Sequence, residues 1–128
     1  MVIGVLPALD AGVEWLVDAY GCAPELLRQT APIERVFQRV VAELGLHPVA
    51  PAQFHVFPGA GGVTGVLLLS ESHVTCHSFP ERGFAAINLF CCRPRHEWPW
   101  AERLGEHLGA SRVALRRMDR HFHEDPRR

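Results

Sequence analysis

The chain has 128 residues and lacks most of the signatures that assign a sequence quickly. No apolar run approaches the roughly 20 residues that a bilayer-spanning helix needs, so no membrane segment is expected. It has no basic stripe of useful length. Thirteen Lys and Arg against fourteen Asp and Glu give a net charge of −1, which argues against a nucleic-acid partner. The C-terminal arginines Arg112, Arg116, Arg117, Arg120, Arg127 and Arg128 are interrupted by acids and read as a solvated tail, frayed after Arg120. Four cysteines, Cys22, Cys76, Cys91 and Cys92, show no CxxC spacing. Met1–Leu9 is apolar but short and carries no basic leader, so a signal peptide is not expected. The chain therefore reads as cytoplasmic, with reduced thiols. Without an internal repeat or a low-complexity linker, residues 1–128 read as one domain.

The elements come from periodicity. Ile33, Val36, Phe37, Val40, Val41 and Leu44 recur at helical spacing and predict a helix over Pro32–Leu44, with Thr30 as its cap and Gly45 as its stop. Pro24–Gln29 reads as a shorter helical turn. A second helix is expected over Trp98–Leu108, with Ala101, Leu104 and Leu108 facing inward and Trp98 and Trp100 serving as packing or interface residues. Strands are expected at Trp15–Gly21, Gln53–Phe57, Val63–Ser70, Val74–Phe79, Phe84–Cys92 and Arg112–Met118. The turn Pro80-Glu81-Arg82-Gly83 joins two of them as a hairpin. This order predicts an α+β fold: a two-layer sandwich of a mainly antiparallel sheet with helices on one face. A small sheet with one uncovered face gains from a partner.

The run Glu71-Ser72-His73-Val74-Thr75-Cys76-His77-Ser78-Phe79-Pro80-Glu81 carries the chemistry. A serine hydroxyl in a tight turn can attack the carbonyl before it, here that of Glu71, to make an ester. Loss of the Ser72 α-proton then splits the chain and leaves an unsaturated residue, which hydrolyses to a pyruvoyl group. That electrophilic ketone condenses with an amine to form an imine, which draws electrons from a neighbouring carbanion. A decarboxylation needs that sink and an acid to protonate the product, and a thiol serves. An isolated Ser-His pair would more often be a turn residue and a polar strand side chain. Metal ligation by His73, Cys76 and His77 is disfavoured: on a strand the histidines share one face and Cys76 lies on the other. His121 and His123 read as tail residues, and Cys76 and Cys91 as small apolar packing groups.

The order of the whole segment changes the weighing. Phe54-His55-Val56-Phe57, Gly62-Val63-Thr64-Gly65-Val66, the Glu71–Glu81 run and Gly83-Phe84-Ala85-Ala86-Ile87-Asn88-Leu89-Phe90-Cys91-Cys92 closely resemble the prokaryotic S-adenosylmethionine decarboxylase proenzyme family. The resemblance is dense from Phe54 to Cys92, and weaker at Tyr20-Gly21-Cys22 and in both helices. It implies cleavage between Glu71 and Ser72, with Ser72 as the pyruvoyl precursor and His77 as the proton-moving residue of self-processing. Thr64 stands where the family has a serine that assists processing, and Cys92 becomes the proton donor in decarboxylation. The resemblance also implies that Phe57 and Phe79 hold the adenine and sulfonium, and that Glu81 binds the ribose. Aromatic faces suit a sulfonium cation, and a carboxylate suits ribose hydroxyls. The substrate so implied is S-adenosylmethionine, in polyamine (spermidine) biosynthesis, and the assembly a homodimer of processed protomers. No metal is implied.

Departures from the pattern matter equally. Phe79 stands where Trp is common, Thr64 adds a methyl group, and Asn88 replaces an Asp. Gly12-Val13-Glu14 replaces a Gly-x-His pattern, and one residue is inserted in Pro58–Gly62. These keep open a relative that decarboxylates ornithine or arginine, with Glu14 as a receptor for the distal cation. An unprocessed, non-catalytic regulatory paralogue is the alternative of a different class. Retention of Ser72, His77 and Cys92 weighs against it.

Overall fold

A computed structural model describes residues 11–122. Met1–Leu9, His123, Arg127 and Arg128 lie outside the described residues. Six strands form one sheet: β1 (Ala11–Tyr20), β2 (Gln53–Val56), β3 (Val63–Leu69), β4 (Ser72–Phe79), β5 (Phe84–Cys91) and β6 (Arg112–His121). Their order across the sheet is β2-β3-β4-β5-β1-β6, and every neighbouring pair is antiparallel. Three helices, α1 (Pro24–Leu27), α2 (Thr30–Leu44) and α3 (Trp100–Leu108), cover one face. This is the two-layer α+β sandwich that the pattern predicts.

Strand alternation sorts the side chains by face. Val13, Trp15, Val17 and Ala19 of β1, Val74 and Cys76 of β4, and Ala85, Ile87 and Leu89 of β5 lie under the helices. They meet Ile33, Val36, Phe37, Val40 and Leu44 of α2, and Trp100, Leu104 and Leu108 of α3. A side chain as large and as buried as Phe37 contributes about 1.5–3 kcal/mol through burial alone. Among the described residues no helix covers the other face. It shows Val66 and Leu68 of β3, Phe79 of β4 and Met118 of β6, all exposed.

Boundaries shift from the pattern for identifiable reasons. Thr30 is the first residue of α2 rather than its cap; Gln29 takes the cap position without a side-chain bond. Pro32 then falls in the first turn, where its missing N–H leaves no bond unmade. Gly45 ends the helix at φ +66°, a left-handed conformation that glycine adopts without a Cβ penalty. The Pro80–Arg82 turn is a 3₁₀ helix closed by Gly83. α3 begins at Trp100, and Trp98 and Trp100 are core residues packed edge to face at 4.9 Å. His121 belongs to β6, paired with Ala11, so the strand runs past the expected fraying point.

Candidate active site

The sequence-predicted residues gather at the two ends of β4. At its C-terminal end, Thr64 of β3 and His77 of β4 face each other in register. A 3.0 Å hydrogen bond joins the Thr64 hydroxyl to His77 Nδ1. Around them Phe57, Phe79 and Glu81 complete a cleft of about 350 Å³, with Pro58, Ala60 and Gly62 on its loop side. The loop folds back because the Phe57 amide donates to the Gly62 carbonyl at 2.8 Å. Gly62 is required there: a Cβ would lie 2.6 Å from the Ser78 carbonyl oxygen. Arg28 pins the loop by donating to the Ala60 carbonyl. Ser78, which the sequence did not single out, accepts from the Val63 amide and donates to the Leu27 carbonyl, tying the cleft floor to α1.

At the other end of β4, Ser70 and Glu71 form a two-residue loop between Leu69 and Ser72, which are paired. The Ser70 amide donates to the His47 carbonyl and holds this hairpin down. The Cys92 amide donates to the Glu71 carbonyl oxygen at 3.2 Å. Among the described residues the buried Ser72 hydroxyl has no partner at good hydrogen-bond geometry, and the polar group beside it is the Cys91 thiol, whose pKa it helps to lower. Such a group is costly to bury, and an unmade bond in a functional segment calls for a reason. Here the free hydroxyl adjoins a carbonyl whose oxygen is already polarised by a donor. That arrangement suits attack on the Glu71 carbonyl, because charge developing on its oxygen finds an amide in place. Arg93 and Arg95 flank the Glu71 carboxylate, each at 3.6 Å. Burial pushes the Cys91 thiol up to about 11, a rise tempered by Arg95, so Cys91 is a packing thiol at neutral pH. Cys92, the next residue, is partly exposed.

These two sets do not meet within one chain. Ser72 lies on the helix-covered side of β4 and His77 on the open side, five positions further along. Five residues of strand span roughly 17 Å. Thr64, His77, Phe57, Phe79 and Glu81 form one group, and Glu71, Ser72 and Cys92 the other.

The S-adenosylmethionine decarboxylase family model matches residues 13–121. The chain belongs to the S-adenosylmethionine decarboxylase family.

It is 35% identical to the S-adenosylmethionine decarboxylase proenzyme of Clostridium tetani over 118 residues, covering 91% of this chain and 92% of that protein. The proenzyme of Moorella thermoacetica is 33% identical over 112 residues, covering 87% of this chain and 88% of that protein. Among solved structures, the adenosylmethionine decarboxylase of Aquifex aeolicus superposes with a TM-score of 0.73 at 23% identity, over 92% of this chain and 97% of that one. That likeness concerns the fold. It fits the antiparallel sheet with helices on one face.

Two of the departures from the family pattern prove to be neighbours. Asn88 donates to the Glu14 carboxylate at 2.7 Å, and Arg120 donates to the same carboxylate at 2.8 Å. The Asn88 bond, supported by Arg120, holds Glu14 below the usual carboxylate range. Glu14 is not among the residues lining the cleft, and its oxygens are taken. The reading of Glu14 as a receptor for a basic amino acid therefore has no geometric support. His73 and His77 share the open face and Cys76 lies buried beneath the helices, where desolvation pushes its thiol up to about 12.

Proposed function

We propose that the chain cleaves itself between Glu71 and Ser72 and then decarboxylates S-adenosylmethionine with the pyruvoyl group left at Ser72. Its product serves polyamine synthesis, and the enzyme works in the cytoplasm. The observation that carries this reading is the unpartnered Ser72 hydroxyl beside a Glu71 carbonyl that already accepts the Cys92 amide. A buried oxygen held by no more than the neighbouring Cys91 thiol fits a serine that is to be consumed. The pyruvoyl group supplies the electron sink for loss of carbon dioxide. The chain's own residues do the remainder. The Cys92 amide steadies the oxyanion of the cleavage step, and its thiol returns a proton to the product carbon. His77, oriented by Thr64, moves the proton that cleavage releases. Phe57 and Phe79 present ring faces to adenine and sulfonium, and Glu81 accepts from ribose hydroxyls.

The distance between the two groups on β4 supports a homodimer with composite sites. His77 and Thr64 of one protomer then serve Ser72 and Cys92 of the other. The open sheet face, with Val66, Leu68, Phe79 and Met118 exposed, offers the apolar surface for that pairing.

The test is the intact mass under denaturing conditions, followed by carbon dioxide release from carboxyl-labelled S-adenosylmethionine. Two fragments divided between Glu71 and Ser72, the second with a blocked N-terminus, and release of label are expected. A single uncut chain, or a cut chain that releases label only from ornithine or arginine, refutes the reading. Co-expression of Ser72→Ala with His77→Ala tests the composite site. Cleavage of the His77→Ala chain in the mixture is expected, although neither variant cleaves alone.

A further inference from the structure

Four side chains on the open face form one hydrogen-bonded line across four adjacent strands. Arg120 of β6 donates to Glu14 of β1, Asn88 of β5 donates to Glu14, and His73 of β4 meets Asn88 Oδ1 at 3.1 Å. The chemistry fixes the directions. A carboxylate only accepts, so the Asn88 amide nitrogen must face Glu14 and its oxygen must face His73. A carbonyl oxygen only accepts, so His73 Nε2 carries the proton. The His73 ring also stacks on Phe90, with centroids 6.0 Å apart.

His73 is the residue after Ser72, which would become the new N-terminus. Before cleavage, β4 is tied to β3 through the Ser70-Glu71 loop. After cleavage that tie is gone, and β4 begins at a free end. Chain ends fray unless side chains hold them. This free end bears the reactive group, so any fraying moves the electrophile itself. We propose that Arg120, Glu14 and Asn88 are positioning residues that brace His73, and through it hold the new N-terminus of the cut strand in place for turnover. The brace matters more after cleavage than before, because only then does the hairpin loop stop doing the same job. The two departures at positions 14 and 88 are then a single exchange: the carboxylate sits on β1 and its neutral partner on β5. This inference rests on the proposed cleavage at Ser72.

The test compares amide hydrogen exchange of residues 73–75 in cut protein and in the uncut Ser72→Ala background. It uses Asn88→Ala, Asn88→Asp and the double variant Glu14→Gln/Asn88→Asp, which returns a single carboxylate to the line. Asn88→Ala and Asn88→Asp are expected to speed exchange about tenfold or more in cut protein and less than about twofold in uncut protein. The double variant is expected to restore exchange and kcat to within about threefold of the parent, as coupled neighbours do. KM for S-adenosylmethionine should change less than kcat in the single variants. Equal acceleration in cut and uncut forms, no acceleration, or failure of the double variant to rescue overturns the proposal. A parent chain that never cuts defeats the cleavage reading and the brace with it. A parent that cuts while its exchange ignores position 88 defeats the brace alone.

Discussion

At one end of β4, Thr64, His77, Phe57, Phe79 and Glu81 stand around an open cleft with Phe57 and Phe79 half exposed. At the other end Ser72 is buried, its hydroxyl unpartnered, and the neighbouring carbonyl is already held by the Cys92 amide. The first end is shaped for something that arrives from solution. On the proposed reading the second reacts within the chain. One strand carries both because its residues alternate faces, and the same alternation keeps them apart. On the proposed reading, a site that needs both ends draws on two chains.

The largest expected effect belongs to the buried end. Ser72→Ala should give an uncut chain by mass and reduce label release to background. Cys92→Ala separates the two duties assigned to that residue. Its backbone amide remains, so cleavage should persist, while kcat falls by about 10²–10⁴ with loss of the proton donor. Fragment masses beside single-turnover rates distinguish these outcomes.

Apart from His77, effects at the cleft end should be smaller, and those of its aromatic rings should fall on binding. Phe79→Ala removes one ring face and should raise KM for S-adenosylmethionine roughly tenfold, in line with the strength of a cation–aromatic contact. Phe79→Trp should lower KM, because it offers more ring surface. Thr64→Val deletes the partner of His77 and should slow cleavage roughly fivefold, the worth of one hydrogen bond. Thr64→Ser should restore the rate. If Thr64→Val altered KM and left cleavage untouched, the part given to Thr64 and His77 in cleavage would be wrong.

The smallest effect on activity is expected away from both ends. Glu43 accepts from Arg39, Trp98 and Arg103, tying α2 to the segment entering α3. Those bonds, Arg39 first, hold its pKa down to about 2 from an ordinary 4.5. A carboxyl group with a depressed pKa in the folded state stabilises above its unfolded value and loses that contribution as pH falls through the folded one. Glu43→Gln should therefore lower Tm at neutral pH, and the gap from the parent should close between about pH 4.5 and 2. Cleavage and kcat at 25 °C should be unchanged. Thermal melts across that pH range check the sign.

Much of this molecule was legible from periodicity. The Ile33–Leu44 stripe and the alternating strands located the main helix and the sheet, since 3.6- and 2-residue repeats leave a direct trace. Ends were less legible. Thr30 looked like a cap because its hydroxyl suits one, yet the backbone continued helical by one more residue. The tie made by Ser78 and the line from Arg120 to His73 left no local signal. Each depends on residues far apart in the chain, such as Ser78 and Leu27 or Glu14 and Asn88.

The sequence by itself determined the two-layer fold class, the apolar stripe of the main helix and the family, because all three are written in residue types at short, regular spacing. Only the tertiary structure decided that Ser72 and His77 lie on opposite faces of one strand, and that Glu14 meets Asn88 instead of entering the cleft. Side-chain partners across a sheet are set by strand order and register, and those follow from how the whole core packs.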